Sequence, residues 1–228
     1  MNEYFEEFYN FGGFGPAIKS ITPSDDEVKS YKGILPANLL KYWQEYGFCG
    51  WGSGRLWIIN PAEYEDILAQ WLKNTPFEQM QKDGVDHFSV IAIDAFGEIY
   101  IWGKNSGTCL SITSCYGMIF PAFNNQDFLE SGEELILNLF FANKISTEID
   151  LNDLNDQPLF ERALEKLGPL ENGEIYGFVP ALALGGAPKL ENLQKVKATE
   201  HLAFLAELGE KRVMADIVAL SNALPHNQ

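Results

Sequence analysis

The sequence predicts an α+β protein: an antiparallel sheet flanked by helices, with a mostly helical C-terminal part packed against it. Three observations carry this reading. Apolar residues recur at helical spacing on either side of residue 60, the period switches to two across residues 87–120, and helical spacing returns from residue 124.

The elements follow in order. Up to residue 22, Tyr4, Phe5, Phe8, Tyr9, Phe11 and Phe14 mix with Gly12, Gly13, Gly15 and Pro16, which predicts an irregular arm and turn with its aromatics buried. A helix opens at Pro36, whose fixed φ suits a first turn; it carries Leu39, Leu40, Trp43 and Tyr46 at helical spacing and stops at Gly47. After the glycine-rich turn of residues 50–54, residues 55–59 predict a short strand. Pro61 then opens a second helix that buries Tyr64, Ile67, Leu68, Trp71 and Leu72. Four runs of alternating character, 88–93, 98–102, 108–113 and 116–120, are joined by loops short enough for antiparallel neighbours and predict a meander of about four strands.

Beyond the meander, Asn124 predicts a cap for one helix whose buried side is Phe128, Leu129, Leu135, Ile136, Leu139 and Phe140, with Asp127 in the first turn where the helix dipole favours it. Asp156 predicts a cap for the next helix, with Pro158 near its start, Leu159, Phe160, Ala163, Leu164 and Leu167 inside and Gly168-Pro169 as its stop. A mostly apolar stretch at 175–186 precedes a strand at 193–198. Thr199 predicts the cap of a helix through Leu202, Leu205 and Leu208, and residues beyond Gly209 predict a further helix ending near Pro225 in a loose tail.

With 228 residues the chain has room for one large domain or two small ones, divided here as 1–122 and 123–228, with a single continuous core left open. A composition 46% apolar and 13% aromatic excludes disorder as the main state. The 16 basic and 32 acidic residues give a net charge of −16, which opposes nucleic acid and anionic membranes and favours a basic partner. Cys49, Cys109 and Cys115 are too few for a disulfide framework, so a reducing compartment fits. The acidic first ten residues lack the chemistry of a targeting peptide, and the longest apolar run falls well short of the ~20 residues of a bilayer span. A cytoplasmic protein is expected.

Chemistry-bearing motifs are sparse. His87, His201 and His226 sit in no metal-ligand spacing, and Cys109 and Cys115 read as buried small hydrophobes rather than a metal or redox pair. No metal or cofactor is expected. The glycines at Gly12, Gly13 and Gly15 and at Gly50, Gly52 and Gly54 lack the strand, helix and Lys-Ser/Thr context of a phosphate loop, and Ser53 lies in no nucleophile elbow. Catalytic residues are therefore not nominated, although distant residues can still assemble a site. The acidity is local. Residues 125–171 hold eleven acids against three bases, a net of −8 and half the charge of the whole chain. Glu130 and Glu134 lie one turn apart with Glu133 beside them, a like-charge grouping that costs a helix a few tenths of a kcal/mol. A solvated face and a binding surface are both open readings.

The blocks Pro158-Leu159-Phe160-Glu161-Arg162-Ala163-Leu164-Glu165-Lys166-Leu167-Gly168-Pro169-Leu170, Gly173-Glu174-Ile175-Tyr176-Gly177-Phe178-Val179-Pro180-Ala181-Leu182-Ala183-Leu184-Gly185-Gly186 and Glu191-Asn192-Leu193-Gln194-Lys195-Val196-Lys197-Ala198-Thr199-Glu200-His201-Leu202 together resemble the C-terminal domain of type VI secretion DNase-immunity proteins. Phe14-Gly15-Pro16, Leu35-Pro36, Leu39-Leu40-Lys41-Tyr42-Trp43, Gly47-Phe48-Cys49-Gly50 and Asp94-Ala95-Phe96-Gly97-Glu98 resemble the GAD-like domain that precedes it in the same proteins. The resemblance runs from about Tyr4 to about Leu208. It implies a cytoplasmic immunity protein, not an enzyme, that binds a cognate antibacterial toxin, a DNase in the best-known cases. A nuclease exposes a cationic cleft for phosphate, so acids suit such a partner. The candidate toxin contacts are Asp127, Glu130, Glu133, Glu134, Glu148, Asp150 and Asp153. The motif residues Tyr176, Gly177, Phe178, Pro180, Gly185 and Gly186 are read as fold residues in preference to contacts, because their block is apolar. A protein-binding adaptor or toxin chaperone, and a hydrolase, are the alternatives.

Overall fold

The computed structural model describes residues 2–222. The N-terminal arm is helical where its glycines and aromatics predict irregular chain: Asn2 accepts the Phe5 amide and caps α1 (Glu3–Glu6), which runs into a π-helical turn, Glu7–Phe11. Phe5, Phe8 and Phe14 are buried as predicted, but Phe11 is 79% exposed. After β1 (Ile18–Ile21) comes α2 (Asp25–Ser30), a helix not predicted from the sequence although the capping box of Ser24 and Glu27 that starts it is a local pattern. α3 (Ala37–Tyr46) starts and stops at Pro36 and Gly47 as predicted. β2 (Phe48–Trp51), β3 (Leu56–Ile58), α4 (Glu65–Leu72) and α5 (Pro76–Lys82) follow, with a 3-10 turn at Pro61–Tyr64 leading into α4. The predicted meander is β4 (Phe88–Asp94), β5 (Glu98–Gly103), β6 (Gly107–Thr113) and β7 (Met118–Pro121).

The single helix predicted from Asn124 is two, α6 (Asn125–Ser131) and α7 (Glu133–Ala142), broken at Gly132. Gly132 has φ 79° and ψ 161°, a conformation that strains any residue carrying a Cβ. The break changes the buried stripe: Leu137 and Phe141 are buried, Leu129 is 81% exposed, and Phe128, Ile136 and Phe140 pack at the margin of the core. α8 (Phe160–Leu167) is not capped by Asp156; the Asp150 carboxylate, ten residues upstream, accepts the Leu159 and Phe160 amides at 3.1 and 2.9 Å instead. β8 (Glu174–Phe178) and β9 (Leu193–Lys197) form a ribbon, and α9 (Ala198–Leu208) begins before Thr199, which lies inside its first turn without a capping bond. β10 (Arg212–Val213) and α10 (Ile217–Asn222) complete the described chain; the predicted end near Pro225, like His226, lies outside the described residues.

The main sheet has eight strands in the order β1-β2-β3-β4-β5-β6-β7-β10, antiparallel except for β10, which runs parallel to β7. Alternation sends Trp57 to one face and Leu56 and Ile58 to the other. A register shift between Val90 and Ala92 breaks the alternation in β4, so Ile91 and Ala92 share a face while Val90 and Ile93 share the opposite one. Each face carries its own core. On one, α1, α3 and α7 cover the sheet; on the other lie α4, α8, α9 and the β8–β9 ribbon. Both cores draw residues from before and after residue 122. All five tryptophans are buried, each worth about 5 kcal/mol of gross apolar burial. The three cysteine thiols are buried and unpaired, and burial pushes each up to about 12, as small core hydrophobes would be.

Candidate partner-binding site

The segment of net charge −8 divides into exposed acids and committed ones. Asp127 and Glu130 stand on α6, and Glu133 and Glu134 in the first turn of α7, all exposed. Asn124 caps α6 as predicted, accepting the Asp127 amide. Because Gly132 redirects the chain, Glu130 and Glu134 belong to different helices and are not successive turns of one. Glu148 is exposed too, but in a 3-10 turn past the far end of α7, a helix about 15 Å long.

Another acid joins this surface from distant sequence. Asn2 donates to Tyr42 Oη and Asn138 Oδ1, both at 3.0 Å, and Asn38 donates to the Glu134 carbonyl at 2.9 Å, so α1, α3 and α7 meet at one point. Burial raises the Tyr42 phenol, and the charges of Glu45 and Glu134 push it the same way. Glu45 and Glu134 therefore stand close to one another where α3 meets α7. Sequence reading missed this grouping, since spacing says nothing about which helices pack together.

Asp150 and Asp153 face inward. Asp150, 10% exposed, accepts three amide N–H groups, those of Leu151, Leu159 and Phe160, and pairs with Arg55 at 3.4 Å. Arg55 is buried at the start of β3, reaches Glu161 at 2.5 Å and lies with its guanidinium 4.0 Å from the Phe160 ring centroid. One arginine thus fastens the start of α8 to the sheet. Asp153 pairs with Arg162 at 2.7 Å and accepts the Asn155 and Gln157 amides, which hold its carboxyl below the usual carboxylate range.

The motif block forms a second joint. Tyr176 is fully buried, donates its amide to the Ala95 carbonyl at 2.7 Å and its hydroxyl to the Gly168 carbonyl at 2.7 Å. Phe178 is buried as well. A Cβ at Gly177 would meet Val196 Cγ2 at 2.7 Å, and one at Gly186 would stand 2.1 Å from the Pro180 carbonyl oxygen. Gly185 takes the left-handed conformation after the turn that Pro180 and Ala181 begin. Tyr176, Gly177 and Phe178 are buried in packing, whereas Pro180 and Gly185 are exposed.

A third group has no sequence signal beyond its place in a loop motif. Asp94 ends β4 and its Oδ1 accepts the Phe96 and Glu98 amides, each at 2.8 Å. Glu98 opens β5 facing the hydroxyls of Thr113 and Ser111, and the Lys144 ammonium rests 4.0 Å from the Tyr100 ring centroid and 4.2 Å from that of Phe140. Burial pushes the Asp94 carboxyl up to about 7 against the pull of its two amide bonds and Lys144, and pushes Lys144 down to about 8 against the pull of Asp94 and Glu98. Burial raises Glu98 too.

Residues 3–116 match the GAD-like domain, and residues 137–209 match the T6SS immunity protein Tdi1, C-terminal. Among solved structures the chain is similar to Atu4351 from Agrobacterium tumefaciens, with a TM-score of 0.74, 21% identity and 88% of each chain covered, a likeness of fold. No curated protein matches in sequence. Among the described residues no helix is long and apolar enough to cross a membrane.

Proposed function

We propose a function from one premise: the chain belongs to the GAD-like family, and its C-terminal part belongs with the T6SS immunity protein Tdi1. An immunity protein implies a cognate T6SS toxin as partner. Our reading is that this protein binds that toxin directly, one to one and without catalysis, in the cytoplasm of the producing cell, and that the toxin is a nuclease with a basic surface. The observation that carries it is the run of exposed acids on α6 and α7, Asp127, Glu130, Glu133 and Glu134, with Glu45 of α3 near Glu134 where α3 meets α7.

Asp127, Glu133 and Glu134 sit in helix first turns, where the dipole favours acids, but none of these exposed carboxylates has a cation paired to it among the described residues. Facing a cationic cleft they raise the rate of encounter, an effect that shortens with the ~8 Å screening length of physiological salt. Within this reading the contacts narrow to the exposed acids. Asp150 and Asp153 support the surface from within by fixing the chain that follows α7.

Coexpression with the active toxin tests the proposal. Protected cells and a purified complex of defined stoichiometry are expected. Carriage of active toxin without protection would favour a chaperone instead, and a toxin without nuclease activity would remove that part of the reading.

A further inference from the structure

Phe11 is the most exposed aromatic side chain among the described residues, 79% open to solvent. The backbone puts it there. From Glu7 to Phe11 the chain winds in a π-helical turn, with the Gly12 amide donating to the Glu7 carbonyl at 2.7 Å, and widened turns of this kind recur at functional sites. Phe8 and Phe14 are buried with their rings stacked 4.3 Å apart, while Phe11, midway between them in sequence, is left in water.

A second apolar side chain arrives from distant sequence. The Gly12 carbonyl accepts the Ser146 amide at 2.7 Å, and a Cβ on Gly12 would stand 2.6 Å from the Lys144 carbonyl oxygen. The arm and the chain after α7 are thus joined backbone to backbone, with Phe11 next to the joint on one segment and Ile145, 46% exposed, on the other. The free charges around this joint are of one sign. Glu6, Glu7 and Glu148 are exposed, and none of them is ion-paired among the described residues. The neighbouring bases are committed elsewhere: Lys144 rests over the Tyr100 and Phe140 rings, Arg55 is buried against Asp150 and Glu161, and Lys19 pairs with Glu171. Apolar side chains within an acidic rim complement a basic surface that carries an apolar recess.

We propose that Phe11 and Ile145 are the apolar centre of the toxin interface, seated in a recess of the toxin ringed by lysine or arginine, with Glu6, Glu7 and Glu148 facing those cations. The inference rests on the immunity reading and deepens it: the acids of α6 and the start of α7 speed encounter, and the patch beyond the other end of α7 holds the complex together. Aromatic side chains desolvated at the centre of an interface carry much of its energy, and their loss is felt in dissociation more than in association.

The experiment measures association and dissociation rates of the purified toxin with the wild-type chain, Phe11→Ser, Ile145→Ser and a control, Leu184→Ser, circular dichroism and melting temperature monitoring the fold. Leu184 is 57% exposed in the turn whose Leu182 packs on the core of the opposite sheet face. Dissociation at least ~10-fold faster for Phe11→Ser is the expected result, with a smaller acceleration for Ile145→Ser, nearly unchanged association for both, and no change for Leu184→Ser. Lysine in place of both Glu7 and Glu148 should slow association. Unchanged dissociation in folded Phe11→Ser would overturn the patch while leaving toxin binding intact. A wild-type dimer that Phe11→Ser abolishes would overturn it too, because a second copy of the chain would then cover the patch. A wild-type chain that does not bind its toxin at all would instead overturn the immunity reading and this one with it.

Discussion

The acids of α6 and α7 and those of the chain between α7 and α8 share one stretch of sequence and one net charge, yet they do opposite work. Glu130, Glu133 and Glu134 face water with no cation paired to them among the described residues, while Asp150 and Asp153 each hold an arginine and two or three backbone amides. The difference teaches that a charge count locates an electrostatic region without saying which of its members are available. Availability is decided by where basic side chains and unpaired amide groups arrive from elsewhere in the fold.

Breaking the committed set gives the largest expected effect. Arg55→Ala leaves the nearly buried Asp150 without its cation and takes the guanidinium off Phe160, so equilibrium urea denaturation should show a loss of about 3 kcal/mol. Asp150→Asn keeps an oxygen for the α8 amides and should cost about 1 kcal/mol less than Asp150→Ala. Equal costs for the two would mean that the charge, not the cap, is what matters.

Gly132→Ala sharpens the exposed side of the comparison. Alanine at φ 79° and ψ 161° is strained, by about 1–3 kcal/mol if the backbone holds. Relaxation would turn α6 relative to α7 and separate Glu130 from Glu133. A lower melting temperature together with altered toxin kinetics is expected; a variant with both unchanged would show that the break is incidental.

The two kinds of buried acid also differ in their response to pH. Asp153 is held below its ordinary value, so its stabilisation is present above the unfolded carboxylate pKa near 4 and is lost as pH falls through the lower folded value. Asp94, at about 7, is the reverse: the folded chain binds its proton more tightly, so its stabilisation is full below about 4 and is lost as pH rises to about 7. Melting temperature followed from pH 4 to 8 should fall less steeply for Asp94→Asn than for the wild type. An identical slope would refute the assignment.

The smallest effect on stability belongs to the surface. Lysine at positions 130, 133 and 134 together should shift unfolding by no more than about 0.5 kcal/mol. The same triple variant should slow association with a basic toxin and flatten its dependence on salt. Stopped-flow rates that do not move would make these acids a solvated face and nothing more.

Much of the fold was legible in the sequence. Trp43, Trp71 and their neighbours at helical spacing, Gly47 and Gly168 as stops, and period-two runs from Phe88 onward each express a local rule, and the loops between those runs were too short for anything but antiparallel pairing. Gly132 was read as part of a helix because periodicity tolerates one glycine, whereas its φ is a property of the folded backbone. The cap of α8 escaped because Asp156 lies nearer in sequence and Asp150 nearer in space.

The sequence by itself determined the helices, the meander, the acidity and the family pattern, all of which depend on residues within a few positions of one another. Only the tertiary structure decided that β10 would run parallel beside β7, that Arg55 would take Asp150 out of the surface, and that Asp94, Glu98 and Lys144 would share one group under α7. Those outcomes depend on contacts between residues some 45 to 95 positions apart. Burial and pairing at such distances are fixed by the packing of whole elements, and no local pattern encodes them.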